Sequence, residues 1–154
     1  MPIKKSSVDM NVLLVEDNPG DVRLAEEALR ESGYAGRLSV ARDGVEAVDF
    51  LTHAGIFANA ERPDIILLDL NLPRMSGREV LERVKESESL RTIPIIILTT
   101  SEAEHDIMNA YSAHANCFVT KPVDLDQFMG VLRSVMEFWC NVVKLPPMTY
   151  SKEH

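Results

Sequence analysis

The chain has 154 residues, 45% of them hydrophobic and 26% charged, a length and composition that suit one globular domain with a sizeable core. Its 16 basic and 24 acidic residues give a net charge of -8, and no basic cluster offers the surface that nucleic acid requires. The apolar runs are too short to span a bilayer, and no signal-peptide pattern opens the sequence. We therefore expect a cytoplasmic protein without nucleic-acid or membrane partners.

The predicted domain covers residues 10–145, with a flexible N-terminus at residues 1–9 and a polar tail at residues 146–154. The two cysteines, Cys117 and Cys140, lack metal-binding or redox-motif spacing, so we expect two free thiols in a reducing compartment. The four histidines are scattered without the spacing of metal ligands. These features predict a single, stand-alone domain.

Five short apolar runs alternate with amphipathic segments along the chain. The runs are residues 11–16, 38–41, 64–69, 94–99 and 116–120. The first, third and fourth are continuously apolar, which is typical of strands buried on both faces of a sheet. The intervening segments carry helix start signals, which are Asn18-Pro19, Ser76 with Glu79, Ser101 with Glu104, and Asp124.

Five βα units in series predict an α/β protein in which helices cover both faces of a parallel sheet. Right-handed crossovers favour the doubly wound, flavodoxin-like strand order 2-1-3-4-5. In that order, ligands bind beyond the carboxyl ends of the strands, in the crevice between the first and third strands. The segment of residues 52–62 is longer than such a unit needs, and we expect a helix-loop extension without a role.

Polar residues stand at the carboxyl ends of four of the predicted strands. Glu16 and Asp17 end the first strand, Asp69 ends the third, Thr99 ends the fourth, and Lys121 follows the fifth. Each residue alone has an ordinary structural explanation, such as capping a helix or lining a loop. Their joint position at one edge of the sheet favours a functional site.

The residue types in this set indicate phosphoryl chemistry with a divalent cation. Clustered carboxylates repel one another unless a cation lies among them, and oxygen ligands without histidine or cysteine suit Mg²⁺ or Mn²⁺. A carboxylate can attack phosphorus to form an aspartyl phosphate, with the metal and a lysine stabilising the transferred charge. We expect Thr99 and Lys121 to serve this chemistry and not the fold, because their replacement leaves no large cavity.

A family resemblance rests on these strand-end residues, which are Glu16-Asp17, Asp69, Thr99 and Lys121-Pro122. In this order on a five-unit βα pattern they resemble the receiver domains of two-component response regulators. The resemblance covers residues 10–142 and implies a phosphorelay function, in which a sensor histidine kinase transfers a phosphoryl group to Asp69. It also implies a signalling protein, not an enzyme, with at most slow self-dephosphorylation.

The resemblance further implies the ligands of the cation. Asp69 looks like the phosphoacceptor and also a metal ligand, while Glu16 and Asp17 look like the acidic metal pocket. Asn71, two residues after the acceptor, would offer its backbone carbonyl to Mg²⁺ or Mn²⁺.

Four further residues resemble the parts of the family that respond to phosphorylation. Thr99 resembles the switch hydroxyl, Lys121 the lysine that contacts the phosphoryl group, and the bond before Pro122 is a cis-peptide candidate. Phe118 falls where the family places its switch aromatic, although a core-facing strand aromatic explains it equally well. The family usually has a small residue after the switch hydroxyl, whereas here Thr100 narrows access, so the resemblance leaves the dephosphorylation rate open.

Longer strings narrow the resemblance. DNPGDVRL, LLDLNLPRMSG and the tail FWCNVVKLPP look like the small response regulators that partner phytochrome-type photoreceptor kinases. The runner-up is a pseudo-receiver, a binding module of this fold that signals without phosphate. A phosphatase would want a second aspartate where Asn71 stands, and a flavin carrier would want a phosphate loop in place of Glu16-Asp17.

The last predicted helix carries more apolar residues than one face needs, and two of its aromatic residues are the candidates for a dimer contact. Phe138 and Trp139 lie beyond the stripe that would cover the sheet. We expect a homodimer built on this helix and the tail, with packing of both rings on their own domain as the alternative.

Overall fold

The computed structural model describes residues 10–31, 36–99, 115, 117–121 and 124–139. Within these residues the chain forms one sheet of five parallel strands in the order β2-β1-β3-β4-β5. The strands are β1 (Val12–Val15), β2 (Leu38–Ala41), β3 (Ile65–Leu68), β4 (Ile95–Thr99) and β5 (Cys117–Thr120). The predicted strand order is confirmed, and every predicted strand is present within one residue at each end.

Burial on both faces of the sheet explains the continuous apolar runs. All four residues of β1 and all four of β3 are buried, and the pairing is in register from Val12 opposite Ile65 to Val15 opposite Leu68. Alternate residues of these strands point to opposite faces, so each face needs its own apolar cover. A strand with one polar face would expose hydrogen-bonding groups to a helix layer that cannot satisfy them.

Four α-helices and one 3-10 turn are described. They are α1 (Pro19–Glu31), α2 (Gly44–Leu51), the 3-10 turn (Gly55–Phe57), α3 (Gly77–Glu86) and α4 (Leu125–Glu137). Asn18 accepts from Asp21 and Val22 at the start of α1, and Ser76 forms the predicted capping box with Glu79 at α3. Asp124 caps α4, as predicted.

Two apolar clusters lie on opposite faces of the sheet. One packs α2 and α3 against side chains such as Leu13, Ile66 and Ile97. The other packs α1 and α4 against the alternate residues, such as Leu14 and Ile96. Because side chains alternate along each strand, the same five strands supply both clusters, and the resulting sheet holds the strand ends in fixed register.

Two glycines allow backbone segments near the carboxyl edge to approach closely. A Cβ atom added to Gly77 would lie 2.2 Å from the carbonyl oxygen of Asp69, and one added to Gly44 would lie 2.2 Å from that of Met75. Neither neighbouring atom is a side-chain tip that could move aside, so only glycine fits. The start of α3 is therefore packed directly against the backbone of Asp69.

Several predictions fall on other parts of the chain. The capping pair Ser101 and Glu104, the cis-peptide candidate at Pro122, and the predicted flexible N-terminus and tail all lie outside the described residues. Among the helices that are described, none has both the length and the apolar character that a membrane crossing requires.

Candidate functional site

The site residues follow directly from the ends of the strands. Glu16 is the first residue after β1, Asp69 the first after β3, and Lys121 the first after β5. The N–H of Glu16 donates to Ala41 at 2.9 Å and that of Asp69 donates to Val15 at 3.1 Å, which extends the sheet ladder to both acids. The sheet thus brings together two carboxylates and an ammonium group, all with side chains at least nine-tenths buried.

Lys121 is the centre of this ionic cluster. Its Nζ lies 2.7 Å from Oε1 of Glu16, 2.8 Å from Oδ2 of Asp21 and 3.3 Å from Oδ2 of Asp69. Three carboxylate partners use all three N–H donors of a lysine. The ring of Phe128 on α4, centred 5.8 Å from Nζ, adds a cation–π contact.

Burial and ionic contacts act in opposite directions on the pKa of these groups. Burial alone would lower the pKa of Lys121, but hydrogen bonds to Asp21 and Glu16 and the charges of Asp69 and Glu16 outweigh it and raise the pKa above its usual value. For Glu16, burial is the larger effect and raises its pKa, although Lys121 partly offsets the rise. The ammonium is therefore held charged, while ionised Glu16 depends on its cationic partner.

Three carboxylates form a cluster that suits a divalent cation. Oxygen atoms of Glu16, Asp17 and Asp69 all lie within 4.8 Å of one another, and the Asp17 side chain is exposed at the mouth of the site. Opposite ligands of Mg²⁺ are about 4.2 Å apart, and its remaining positions are usually filled by water. The proximity of the three carboxylates and the all-oxygen donor set therefore suit Mg²⁺ or Mn²⁺.

Backbone N–H groups fix the orientation of the two buried acids. The N–H of Asn71 donates to Oδ1 of Asp69 at 3.0 Å, and that of Asn18 donates to Oε2 of Glu16 at 3.2 Å. Each carboxylate thus has one oxygen bound to backbone and the other bound to Lys121. The structure brings Asn71 to the site, and the use of its carbonyl as a metal ligand stays a prediction.

The switch residues predicted from the sequence are described in part. Thr99 ends β4 opposite Thr120 of β5, so its backbone lies at the same edge of the sheet, while its side chain is outside the described part of the structure. Phe118 lies in β5 opposite Ile97, and its partly buried ring packs against the cluster under α2 and α3.

The two candidate dimer residues lie just after α4. The rings of Phe138 and Trp139 contact each other edge to face, with centroids 6.0 Å apart. Phe138 is 51% exposed, whereas Trp139 packs partly against the cluster under α1 and α4. The alternative of packing on the same domain therefore applies to Trp139, and Phe138 keeps an exposed apolar surface.

Asp21 is the site residue that the sequence reasoning missed. It is the third residue of α1, and its carboxylate reaches Lys121 across 100 positions of sequence. The Asn18-Pro19 start signal contains the information needed to find it, because it puts Asp21 in the first turn of a helix that begins at the carboxyl edge. On sequence grounds an acid in a first turn is explained by the helix dipole alone, which conceals its second partner.

Comparisons with known proteins agree with this geometry. The family described as "Response regulator receiver domain" matches residues 12–133. Response regulator Rcp1 of Synechocystis sp. is 42% identical over 135 residues, which are 88% of this chain and 92% of Rcp1. A probable methanogenesis regulatory protein, FilR2 of Methanothrix harundinacea, is 40% identical over 83% of this chain and 82% of its own length.

Two solved structures extend the similarity to three dimensions. The phosphorylated cyanobacterial phytochrome response regulator RcpA has a TM-score of 0.88 and 44% identity, covering 90% of this chain and 99% of RcpA. The Mn²⁺-bound form of Rcp1 has a TM-score of 0.87 and 41% identity, with the same coverage. The fold, the strand-end acids and these matches show that the chain belongs to the response regulator receiver domain family. Within that family it is related to phytochrome response regulators.

Proposed function

We propose that this protein is a response regulator in a phosphorelay, which accepts a phosphoryl group from a sensor histidine kinase onto Asp69. The observation that carries the proposal is the buried Asp69 carboxylate between an acidic cluster and the Lys121 ammonium. Glu16 and Asp69 both belong to the acidic cluster and contact Lys121, and of these two acids Asp69 is the one that follows the central strand β3. A signalling role follows from this acceptor chemistry.

The cation in this proposal is Mg²⁺ or Mn²⁺, held by Glu16, Asp17, Asp69 and the backbone carbonyl of Asn71. Three carboxylate oxygens within 4.8 Å of one another support the assignment. When bound, the cation neutralises charge on the transferred phosphoryl group. The assignment is consistent with Rcp1, which has been solved in an Mn²⁺-bound form.

The residues of the chain divide the work of phosphoryl transfer. A carboxylate oxygen of Asp69 forms the new bond to phosphorus while the bond between phosphorus and the donor histidine nitrogen breaks. The N–H of Asn71, 3.0 Å from Oδ1, holds the attacking carboxylate in one orientation. Lys121, already 3.3 Å from Oδ2, supplies a positive charge beside the incoming group.

The response to phosphorylation is assigned to the ends of β4 and β5. The hydroxyl of Thr99 would bind a phosphoryl oxygen, and the ring of Phe118 would follow the resulting shift. The parallel pairing of the two strands, with Ile97 opposite Phe118 and Thr99 opposite Thr120, links the two positions mechanically. A small change at the pocket can thereby reach β5, the edge strand of the sheet.

The proposed partner is a sensor histidine kinase of the phytochrome type. Support comes from the similarity to RcpA, a cyanobacterial phytochrome response regulator, at 44% identity. A phosphate-independent binding module of the same fold is the alternative function. Such a module would have no need of buried acids around a buried lysine. Burying charged groups costs free energy even when they are paired, and without a ligand nothing at the site would offset that cost.

Phosphoryl uptake by an Asp69→Asn variant tests the proposal. With Mg²⁺ and a small phosphodonor, the wild-type protein should gain one phosphoryl group in intact mass spectrometry. The variant should gain none, because an amide is not a nucleophile toward phosphorus. Asp64→Asn is the matched control, since Asp64 lies just before β3 at the opposite edge of the sheet and should not affect uptake. Labelling of the Asp69→Asn protein, or failure of the wild type to be labelled, would refute the assignment.

We also propose a homodimer in which Phe138 and Trp139 form part of the contact. The exposed ring of Phe138 beside the partly buried Trp139 supports the position. In sedimentation experiments Phe138→Ala should weaken the dimer by about tenfold in Kd, because an aromatic ring is lost from the interface. Ile56→Ala is the control, since Ile56 is the other large exposed apolar residue of the described chain. A wild-type protein that stays monomeric at high concentration would remove this proposal.

A further inference from the structure

Asp21 contacts the phosphorylation site without belonging to its acidic cluster. Its carboxylate lies 2.8 Å from Nζ of Lys121, shorter than the 3.3 Å between Lys121 and Asp69. The side chain is 26% exposed, and its own N–H is bound by Asn18 at 3.1 Å, which ties it to the first turn of α1. Asp21 is thus a fixed acceptor for the lysine at the rim of the site.

The three acceptors of Lys121 differ in what else they can bind. Glu16 and Asp69 belong to the carboxylate cluster that suits a divalent cation, and the cluster found among the described residues does not include Asp21. A cation bound to Glu16 and Asp69 withdraws their electron density and also repels the ammonium. Of the three hydrogen bonds to Lys121, the bond to Asp21 is the one that a cation does not compete for.

The favourable contacts of Lys121 point the same way. A charge-assisted hydrogen bond of 2.8 Å is in the strong range for an ammonium and a carboxylate. The ring of Phe128, centred 5.8 Å from Nζ, offers the ammonium a further contact that holds no metal ligand.

We propose that Asp21 is a positioning residue, which retains the Lys121 ammonium at the site when a divalent cation occupies Glu16 and Asp69. The inference rests on the proposed function, because it concerns the same cation and acceptor. Without Asp21, a lysine displaced from two carboxylates would turn toward solvent. With Asp21, the ammonium stays beside the position that the phosphoryl group will occupy.

The ammonium signal of Lys121 in ¹H–¹⁵N NMR spectra tests this inference directly. The signal is assigned by its loss in Lys121→Arg, and proton exchange with water is measured without and with saturating Mg²⁺. In Mg²⁺-bound Asp21→Asn, exchange should be about tenfold faster than in the wild type, because the remaining strong acceptor is lost. Asp21→Glu should restore slow exchange, since it keeps the carboxylate.

Glu26→Gln is the matched control, because it removes an exposed acid from the same helix. In this variant the Lys121 ammonium should exchange its protons at the wild-type rate. If exchange were accelerated as much as in Asp21→Asn, only net charge would matter and the inference would be overturned. Equal exchange in Mg²⁺-bound wild type and folded Asp21→Asn would also overturn it.

Failure of the two proposals can be told apart, since the NMR readout involves no phosphate. Calorimetry with Mg²⁺ alone shows whether the cation binds. If Mg²⁺ binds and Asp21→Asn changes nothing, the positioning role fails while the proposed function stands. If Mg²⁺ does not bind to the wild type, both fail.

Discussion

Two lysines at opposite edges of the sheet show how the surroundings of an ammonium group decide the direction of its pKa shift. Lys121, after β5, meets three carboxylates, and its pKa is raised above the usual 10.5. Lys85, near the end of α3, donates to the carbonyls of Arg91 and Ile93 at 3.1 and 3.0 Å. Burial lowers the pKa of Lys85 from 10.5.

The difference is that Lys121 is bound by carboxylates at the carboxyl edge, whereas Lys85 at the other edge is bound by backbone carbonyls. Backbone carbonyls hold the loop between α3 and β4 onto Lys85, which is a structural use of an ammonium. The acids around Lys121 keep its ammonium group charged and in place. In the proposed function, a metal or a phosphoryl group would later change which acceptors this ammonium group contacts. Burial lowers the pKa of both lysines, but the acids around Lys121 reverse the net shift there. Measurements on the two lysines can separate the two effects.

The largest expected effect is the loss of stability in Lys121→Met without metal. The substitution leaves Glu16 and Asp69 buried without their cation, and the free energy of unfolding should fall by about 3 kcal/mol. Mg²⁺ at 100 times the Kd of either protein stabilises that protein by about 2.7 kcal/mol. At one fixed Mg²⁺ concentration the variant should gain more than the wild type, because the metal replaces the missing charge and therefore binds the variant more tightly. Urea unfolding with and without Mg²⁺ checks both values.

If the difference in free energy of unfolding between the wild type and Lys121→Met is the same at every Mg²⁺ concentration, the metal does not replace the charge of Lys121. From the sequence alone, this lysine is expected to be dispensable for the fold, because its replacement at the end of a strand leaves no large cavity. Its burial beside two buried acids changes that expectation.

The intermediate effect is that of Lys85→Met. It removes two hydrogen bonds to carbonyls near the surface, and the free energy of unfolding should fall by about 1 kcal/mol. Mg²⁺ should return no more stability to this variant than it gives to the wild type, since Lys85 is at the far edge of the sheet. A specific rescue by Mg²⁺ would contradict the separation of the two edges.

The smallest expected effect is on the pH dependence of stability. For Lys121 the folded pKa is raised, so its stabilisation is present below pH 10.5 and is lost as the pH rises further. For Lys85 the folded pKa is lowered, so the folded state gains stability as the pH rises toward 10.5. At each pH, the free energy of unfolding of the Met variant is subtracted from that of the wild type. This difference should fall with pH above 10.5 for Lys121 and should rise with pH below 10.5 for Lys85. Slopes of the same sign would show that burial dominates at both lysines.

Most of the fold could be predicted because apolar runs and start signals are local features. The runs in β1 and β3 are buried on both faces, as their composition indicates, and Ser76 with Glu79 determines the start of α3. Parallel pairing then places the residues after the strands at one edge, so the sequence was sufficient to bring Glu16, Asp69 and Lys121 together.

The partners of individual side chains could not be predicted in the same way. Asp21 reaches Lys121 because α1 and α4 pack in the same apolar cluster on one face of the sheet, which brings the first turn of α1 next to the residue after β5. The close approach of Gly77 to Asp69 is likewise a tertiary contact without a signature beyond the glycine itself. Contacts of this kind depend on how layers pack, and periodicity carries no information about it.

The ion pair between Lys121 and Glu16 spans 105 positions, from the first strand of the sheet to the last. Contacts of such long sequence separation form late, because the loop between them must be closed by the rest of the chain first. A nascent or partly folded chain that lacks β5 contains Asp69 but does not yet have Lys121 in place beside it. In the proposed relay, the acceptor site around Asp69 would therefore be complete only in a finished domain, so incompletely folded molecules would not be loaded.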